Sequence, residues 1–387
     1  MFSTIIIFIA VLSLLVFVHE MGHFWVARRF GLKPKEFGFG MPPRLFGIYK
    51  NKEGKWQKTW GNKEVKDADD TIYSVNWLPL GGFVNLGEDE NPGDDANHFN
   101  NKSAGQRAII LLAGVTMNII LAMVLISFGF MIGLPQALHE DINPRAIISS
   151  QQIQVVEVMP NSPAKAAKLR MGDIIVGVNN ENFINSDGLQ KFAAAHAGEE
   201  LNYKIKRGDE EIIKKITPEV RPETGVGGIG IGIMETGLVK YPVFTAIWEG
   251  IKTTILVTWA IIAAFYGLLK GLILGQGVGA EVAGPVGIAA LTGQMARMGF
   301  VYLLQFTALL SINLAIINAL PFPALDGGRI LFIIIEKIKG SPVKKEIEGT
   351  IHYIGFAMLM LLVLFVTFKD VARFGGQFKA LWEKIAG

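Results

Sequence analysis

Long runs of uncharged apolar residues, separated by polar stretches, dominate the hydrophobic pattern of this chain. Crossing the hydrocarbon core of a bilayer takes about 20 apolar residues, and five apolar runs of the chain are candidates, of which the one at 253–269 has 17 residues. The other four predict spanning helices at residues 1–27, 108–138, 298–328 and 349–369, followed by a tail at 370–387. The pattern therefore predicts a multi-pass α-helical membrane protein.

The polar stretches between these runs predict which side of the membrane each one occupies. Residues 28–107 contain 13 lysines and arginines, so the positive-inside rule places them on the cytoplasmic side. Residues 139–242 then lie outside, where their charge matters little because long folded domains translocate largely regardless of charge. Within them, alternating β-branched positions predict strands at 153–158, 174–178, 201–205 and 211–216, with short helices at 164–169 and 189–195.

Composition narrows the class of protein further. Only 18% of the residues are charged and the mean hydropathy is +0.37, which argues against a soluble enzyme, a disordered chain or a coiled coil. A net charge of +3 is too small to indicate a nucleic-acid partner. The chain has no cysteine, so a zinc site would need His, Asp or Glu ligands.

The first apolar run contains the sequence His19-Glu20-Met21-Gly22-His23, an H-E-x-x-H pattern. Residues four apart share one face of a helix, so the two imidazoles can bind one zinc ion while Glu20 acts as a general base. Ionisable side chains inside an apolar helix are costly and usually functional. The alternative is a polar helix end at the membrane interface.

Asp326 is the candidate for a third metal ligand. It follows 28 uncharged residues and precedes Gly327-Gly328, so it also lies at membrane depth. Pro321 and Pro323 interrupt the helix just before it, and such breaks are tolerated in a membrane only where they line a cavity or pack in protein. The alternative is a helix cap at the interface.

The outside region resembles a PDZ domain of the circularly permuted bacterial kind. The resemblance rests on the pattern V-x-x-x-S-P-A-x-x-A-x-L-x-x-G-D-x-I at 158–175 and implies a domain at residues 150–237. PDZ domains bind peptides by adding a strand to a sheet edge, so a peptide or substrate stub is an expected partner. A rigid spacer without a ligand is the alternative.

Taken together, H-E-x-x-H in the first helix, the PDZ pattern and N-x-x-P-x-P-x-L-D-G-G near the third run resemble the site-2 protease family of intramembrane zinc metalloproteases. The resemblance is greatest to the branch that regulates the sigma-E stress response. It implies one Zn²⁺ per chain, bound by His19, His23 and Asp326 with Glu20 as the base. It also implies four spanning helices, membrane-associated β-strands within 28–107 and one extracytoplasmic PDZ domain, in a bacterial inner membrane with that domain on the periplasmic or extracellular side.

The same resemblance implies a substrate class and residues that contact it. The substrates are single-span membrane proteins, such as anti-sigma factors and remnant signal peptides, cleaved within the bilayer in regulated intramembrane proteolysis. The substrate-contacting positions are Asn313, Asn318, Pro321, Pro323, Gly81, Gly82 and Phe83.

The number of PDZ domains differs from that of the sigma-E regulators. Those proteins carry two PDZ domains in tandem, whereas only one is recognisable here. In addition, both halves of the zinc site must lie at one depth, so residues 243–275 cannot make a single net crossing and are predicted to be a surface-lying or re-entrant helical element.

Two other functions remain open at this point. A membrane-anchored zincin that cuts soluble or misfolded loops at the cytoplasmic face would take its third ligand from the loops. A non-catalytic scaffold that presents a PDZ domain would bind no metal.

Overall fold

The computed structural model describes residues 2–87, 98–138, 142–208, 210–220, 227–275 and 284–386. They form two compact units, one made of Met1–Ile126 with Ile251–Gly387 and the other of Ser127–Gly250. The helices are α1 (Phe2–Arg29), α2 (Ala104–Ile132), α3 (Pro163–Ala166), α4 (Ser186–Ala195), α5 (Val243–Ile273), α6 (Pro285–Met298), α7 (Phe300–Ala319), α8 (Asp326–Lys339) and α9 (Lys345–Ala386). The strands are β1 (Glu36–Lys50), β2 (Trp56–Trp60), β3 (Ile72–Asn85), β4 (Leu134–Ala137), β5 (Ile147–Val158), β6 (Ile174–Val178), β7 (Glu181–Asn182), β8 (Leu201–Arg207), β9 (Glu210–Ile216), β10 (Glu219–Val220), β11 (Gly227–Gly228) and β12 (Ile231–Lys240).

Five helices among the described residues are long and apolar enough to cross a membrane, one more than the four predicted. The additional one belongs to α5, whose residues Val243–Gly271 qualify by length and composition. α5 is one continuous helix of 31 residues, and no proline interrupts it. The surface-lying or re-entrant path predicted for 243–275 stays a prediction.

The predicted third span at 298–328 is also divided in the structure. α7 ends at Ala319, residues 320–325 form a turn, and α8 begins at Asp326. Proline has no backbone N–H and clashes with the preceding helical turn, so Pro321 and Pro323 end α7. Asp326 therefore stands in the first turn of a new helix.

The start of α2 is fixed by a capping box. The Ser103 hydroxyl accepts a hydrogen bond from the N–H of Gln106 at 3.3 Å, and the Gln106 side-chain oxygen accepts one from the N–H of Ser103 at 3.1 Å. The two bonds satisfy donors that the first turn of a helix otherwise leaves unpaired. The predicted start at residue 108 is therefore four positions late.

A three-stranded antiparallel sheet with the order β2-β1-β3 belongs to the first unit. β3 pairs with the beginning of β1 twice, since Phe37 faces both Tyr73 and Val84. The residues at the end of β3, 82–85, therefore form an edge segment, and no strand of the described residues pairs with their outer side.

The second unit is a sheet with the order β4-β12-β5-β6-β8-β9 and the short helices α3 and α4. Its core consists of alternate residues of these strands, including Ile153, Val155 and Ile175, as expected where one face of a sheet is buried. Burial alone would raise the pKa of Asp173, but hydrogen bonds from Arg207 and from the N–H of Arg170 lower it below its ordinary value.

Candidate metal centre

The two histidines of the H-E-x-x-H pattern lie on one buried face of α1. His19 and His23 are 6% and 4% exposed, and their Nε2 atoms are 3.2 Å apart. The helical spacing of four residues produces this proximity. Two nitrogen ligands are therefore available at one point inside the protein.

Asp326 completes the cluster from the start of α8. Its Oδ2 atom lies 3.1 Å from His19 Nε2 and 3.3 Å from His23 Nε2. These three residues can hold a metal ion, with ligand atoms within 4.8 Å of one another. The structure thus brings together two segments about 300 positions apart in the sequence, as the predicted ligand set requires.

The spacing and chemistry of these atoms fit zinc. A tetrahedral ion with ligand bonds of about 2.0–2.1 Å separates its ligand atoms by about 3.3 Å, and the observed separations are 3.1–3.3 Å. Asp326 Oδ2 is buried and has no hydrogen-bond donor among the described residues. Three lone-pair atoms that converge in this way repel one another unless a cation lies between them.

Hydrogen bonds behind the histidines set which ring nitrogen faces the centre. His23 Nδ1 lies 2.8 Å from the Ile110 carbonyl oxygen in α2. A carbonyl only accepts, so Nδ1 carries the proton and donates, which leaves the Nε2 lone pair for a metal.

Asn118 of α2 plays the corresponding role for His19. Its side-chain amide lies 3.3 Å from His19 Nδ1, while its Oδ1 atom is buried and has no hydrogen-bond partner among the residues that the structure describes. Amide oxygen and nitrogen are exchanged by a half-turn of the group. After that half-turn, Oδ1 accepts the proton of His19 Nδ1, which satisfies the buried oxygen and frees His19 Nε2.

Two glycines allow α1 and α2 to approach closely at this level. A methyl group at Gly22 would overlap the Ala113 carbonyl, and one at Gly114 would overlap the imidazoles of His19 and His23. Small residues permit such close helix packing inside membranes. The close contact is what lets Ile110 and Asn118 reach the histidine rings.

The turn that delivers Asp326 is tightly packed and conformationally strained. Side chains at Gly327 and Gly328 would overlap carbonyl oxygens of residues 319–322. Ala324 has a φ of 76°, a left-handed conformation that costs a non-glycine residue of order 1 kcal/mol or more. His352 of α9 accepts a hydrogen bond from the Ala324 N–H at 2.8 Å and helps to maintain this conformation.

A cavity of about 330 Å³ opens beside the three ligands. Glu20, the predicted base, is part of its wall together with His23 and Asp326. The end of β3 and the start of α8 supply most of the remaining wall, and the full set of lining residues is Glu20, His23, Phe83, Val84, Asn85, Leu86, Leu111, Ala324, Asp326 and Arg329. A carboxylate and an extended edge segment therefore border the space next to the candidate metal centre.

The predicted substrate-contacting residues occupy different places. Phe83 lines the cavity, and Asn318 lies beside the centre with its amide nitrogen 3.4 Å from His19 Nε2. Asn313 instead donates to the Leu309 carbonyl of its own helix at 2.9 Å.

The predicted substrate-contacting glycines and prolines determine the course of the backbone and provide no polar side chain to a substrate. Gly81 and Gly82 pack against α1 near Val16 and Phe17. Pro321 and Pro323 lie in the turn before Asp326.

Sequence reasoning missed Asn118, Gly114 and Arg329. Arg329 lies one helical turn after Asp326 and lines the cavity with Glu20. Residues three apart share a helix face, so the spacing from Asp326 could have predicted that Arg329 lies near the site. Nothing in the local sequence distinguishes Asn118 or Gly114, because only the packing of α2 on α1 places them at the histidines.

Comparison with known proteins agrees with this site. A family model described as Peptidase family M50 matches residues 7–60 and 63–362. A zinc metalloprotease, RasP, of Geobacillus kaustophilus is 31% identical over 96% of this chain and 98% of its own length. The regulator of sigma-W protease RasP of Bacillus subtilis is 29% identical over 96% of this chain and 99% of its own length.

A solved structure is similar to part of this chain. The PDZ domain of the SdrC-like protein from Listeria monocytogenes is 24% identical, with a TM-score of 0.21, over 22% of this chain and 92% of that domain.

The chain therefore belongs to Peptidase family M50, the site-2 protease family, and is a multi-pass membrane zinc metalloprotease. The predicted enzyme class and zinc cofactor are confirmed. The Bacillus subtilis relative is named for sigma-W, so the predicted link to sigma-E stays a prediction.

Proposed function

We propose that this protein hydrolyses peptide bonds within the transmembrane segments of single-span membrane proteins. The observation that carries the proposal is the cavity in which Glu20 and Asp326 meet residues 83–86 at the open edge of β3. His19 and His23 lie within a candidate membrane span, so the site is at a depth where a membrane-embedded segment can reach it.

The edge segment of β3 supplies a way to bind such a substrate. A helix conceals its peptide bonds in internal hydrogen bonds, so a transmembrane substrate must unwind locally before cleavage. Residues 82–85 expose one unpaired strand edge, which can pair with the unwound segment as an added strand. The Asn318 amide beside His19 can hydrogen-bond the same backbone.

Glu20 is the general base of the proposed reaction. His19, His23 and Asp326 would hold the zinc ion, and a bound zinc ion would supply Lewis-acid polarisation of the scissile carbonyl and of a water molecule. The Glu20 carboxylate takes a proton from the attacking water and delivers it to the leaving amine. The cavity at Glu20 admits that water to a site that the bilayer would otherwise keep dry.

Helix contacts in the first unit support the predicted topology. α2 runs antiparallel to α1, since His19 meets Asn118 whereas His23 meets Ile110. α6, just before α7, packs at Gly293 against Thr4 near the start of α1. Towards Ile126, α2 therefore runs to the same end of the first unit as the start of α7, which supports an even number of crossings between them and a path for α5 that does not cross the membrane.

We further propose the location and substrates that follow from this topology. The protein lies in the bacterial inner membrane, with residues 150–237 as a PDZ domain on the outer side that can receive a peptide or substrate stub. Anti-sigma factors and remnant signal peptides are the proposed substrates. The Bacillus subtilis relative, named as a regulator of a sigma factor, supports the first class.

The test is cleavage of a model protein with one transmembrane segment in liposomes, with zinc measured in each variant. Glu20→Gln should keep zinc and lower turnover by about 10²–10⁴-fold, because general-base catalysis contributes about that much. Asp326→Ala should lose zinc as well as activity, because it removes one of three protein ligands. Glu53→Gln, the same change at an exposed position, is the matched control.

Two results would contradict the proposal. Cleavage that persists in Asp326→Ala, or that maps to a loop outside the membrane segment, would favour a membrane-anchored zincin acting at the cytoplasmic face. Normal turnover by Glu20→Gln would remove Glu20 from the mechanism.

A further inference from the structure

The cavity beside the metal centre contains one charged residue that the proposed mechanism does not use. Arg329 lines this cavity together with Glu20 and Asp326. It is the only arginine or lysine among the described residues of the cavity wall, and an arginine side chain stays protonated in proteins. A permanent positive charge therefore borders the space in which a substrate would lie.

The first turn of α8 places Arg329 at the cavity. Asp326 and Arg329 are three residues apart, so they share one face of the helix, and both line the cavity. Gly327 and Gly328 pack against the preceding turn, where added methyl groups would overlap its carbonyl oxygens. The helical turn that supplies a metal ligand thus also supplies a cation beside it.

Acidic residues of two other helices compensate the charge of Arg329. Arg329 is partly buried and interacts electrostatically with Glu20 of α1 and Glu348 of α9. Removing a guanidinium group from water is costly unless carboxylates and hydrogen bonds replace its hydration. The two glutamates offset that cost, so the cation can remain on the cavity wall.

A guanidinium group in this position can do more than balance the glutamates. It carries five N–H donors in a fixed planar fork, so it can bind a carboxylate and still donate to an oxygen atom in the cavity. Where water is excluded, such a donor stabilises a negative oxygen more strongly than in solvent. Residues 83–86 line the same cavity, so a substrate backbone paired with them lies close to Arg329.

We propose that Arg329 is a catalytic residue that binds the oxygen of the scissile carbonyl as negative charge develops on it. After cleavage, the same guanidinium group binds the new C-terminal carboxylate of the product. This inference rests on the proposed hydrolysis in this cavity and deepens it, because it assigns the group that stabilises the substrate oxygen.

The charge on that oxygen follows from the electron balance of the reaction. The water oxygen forms a bond to the scissile carbon, the π electrons of the carbonyl move to its oxygen, and one water proton goes to Glu20. The C–N bond then breaks, its electron pair stays on the nitrogen, and the C=O bond forms again. The nitrogen receives the proton from Glu20 and the second water proton, so the products are a carboxylate and an ammonium group. The oxygen bound by Arg329 is thus anionic in the tetrahedral intermediate and shares the negative charge of the product.

Arg329→Gln tests the first part of the proposal. It should lower kcat on the model transmembrane substrate by about 10²–10³-fold, as does removal of one oxyanion donor. KM should change little, because the contact gains strength only as charge develops. Arg329→Lys should recover part of the lost kcat, since it keeps the charge but lacks the planar fork. Arg297→Gln, the same change at an exposed position of α6, is the matched control, and zinc content is measured in every variant.

Binding of product-like peptides tests the second part without turnover. Two fluorescent peptides of alanine and leucine, one ending in a carboxylate and the other in an amide, are titrated with the full-length protein in detergent. Mass spectrometry checks that neither peptide is cut. We expect the wild type and Arg297→Gln to prefer the carboxylate peptide. Arg329→Gln should reduce this preference by about 10- to 100-fold, because it removes a hydrogen bond to a charged group.

Three results would overturn the proposal. An unchanged kcat in Arg329→Gln would remove Arg329 from the reaction. Equal weakening of both peptides would show that Arg329 only maintains the shape of the cavity. An equal loss of the carboxylate preference in Glu348→Gln, which removes the acidic partner on α9, would show that Arg329 acts only by pairing with that helix.

The two experiments also separate this inference from the proposed function. A wild-type protein that prefers the carboxylate peptide through Arg329 but cuts no transmembrane segment would contradict the proposed function and support the carboxylate site.

Discussion

At the scale of single residues, the metal centre depends on side chains that never touch a metal. The Ile110 carbonyl and Asn118 orient the two imidazoles, and Gly114 leaves room for both rings. Partners behind metal ligands commonly change metal affinity by 10- to 100-fold when altered. The affinity of the site is therefore set as much by α2 as by the H-E-x-x-H pattern.

Gly114→Ala tests this dependence. The added methyl group would overlap the rings of His19 and His23, so one ring must move and zinc affinity should fall by about 10- to 100-fold. Equilibrium dialysis against a zinc chelator measures the change. Gly105→Ala, the same substitution in α2 with nothing within 4 Å, should bind zinc normally, and unchanged zinc binding by Gly114→Ala would contradict the packing argument.

At the scale of elements, a single serine of α1 fixes the bend in β3 before the edge segment. The buried Ser13 hydroxyl donates to the Pro79 carbonyl at 2.9 Å and accepts from the Gly81 N–H at 3.2 Å. Gly81 has a φ of 71°, a conformation that glycine adopts without strain. The helix that carries the metal ligands therefore also positions the strand proposed to bind substrate.

Ser13→Ala should loosen the edge segment without disturbing the metal ligands. It removes the partner of the buried Gly81 N–H and of the part-buried Pro79 carbonyl, at a cost of about 1–3 kcal/mol for the buried group. We expect faster amide hydrogen exchange at Gly81, roughly a ten-fold loss in kcat/KM on a transmembrane substrate, and full zinc content. Ser3→Ala in the exposed first turn of α1 is the matched control, and an unchanged kcat/KM with altered exchange would separate the bend from substrate binding.

At the scale of the whole molecule, the direction of each helix through the membrane decides whether the site is complete. Asp326 reaches His19 and His23 only if α7 runs in the same direction as α1. That direction requires the chain to leave the membrane after α2 and to re-enter it at α7 on the same side. The 31-residue apolar helix α5 lies between α2 and α7, so this requirement can be tested by finding on which side of the membrane α5 ends.

The chain has no cysteine of its own. Labelling of a single introduced cysteine in intact and in permeabilised cells therefore shows on which side of the membrane that position lies. We expect Lys165→Cys and Lys270→Cys to react with an impermeant maleimide from the same side. Lys337→Cys in α8 should react from the other side. Lys270→Cys reacting together with Lys337→Cys would mean that α5 crosses the membrane.

The local sequence by itself determined the class of protein and the residues proposed to bind its zinc ion. The H-E-x-x-H motif lies within about one helical turn, and Pro321, Pro323 and Asp326 lie within one interruption of a helix. Both patterns can therefore be recognised without knowledge of tertiary contacts. Four strands of the second unit were predicted for the same reason, because alternation is a local property, whereas β12 (Ile231–Lys240) was not predicted. Residues 174–178, for example, are a strand in the structure as predicted.

Tertiary structure decided what depends on the approach of distant segments. Asn118 and Gly114 matter only because α2 crosses α1 at the histidines. The Asn313 amide likewise donates to the Leu309 carbonyl of its own helix, a contact that the sequence pattern did not indicate. The path of 243–275 was predicted from the common depth of the two halves of the zinc site, whereas the continuity of α5 depends on its backbone hydrogen bonds. Burial in the β1-β2-β3 sheet was likewise invisible, since Ser74 and Asn76 are inward only by virtue of how the strands pair.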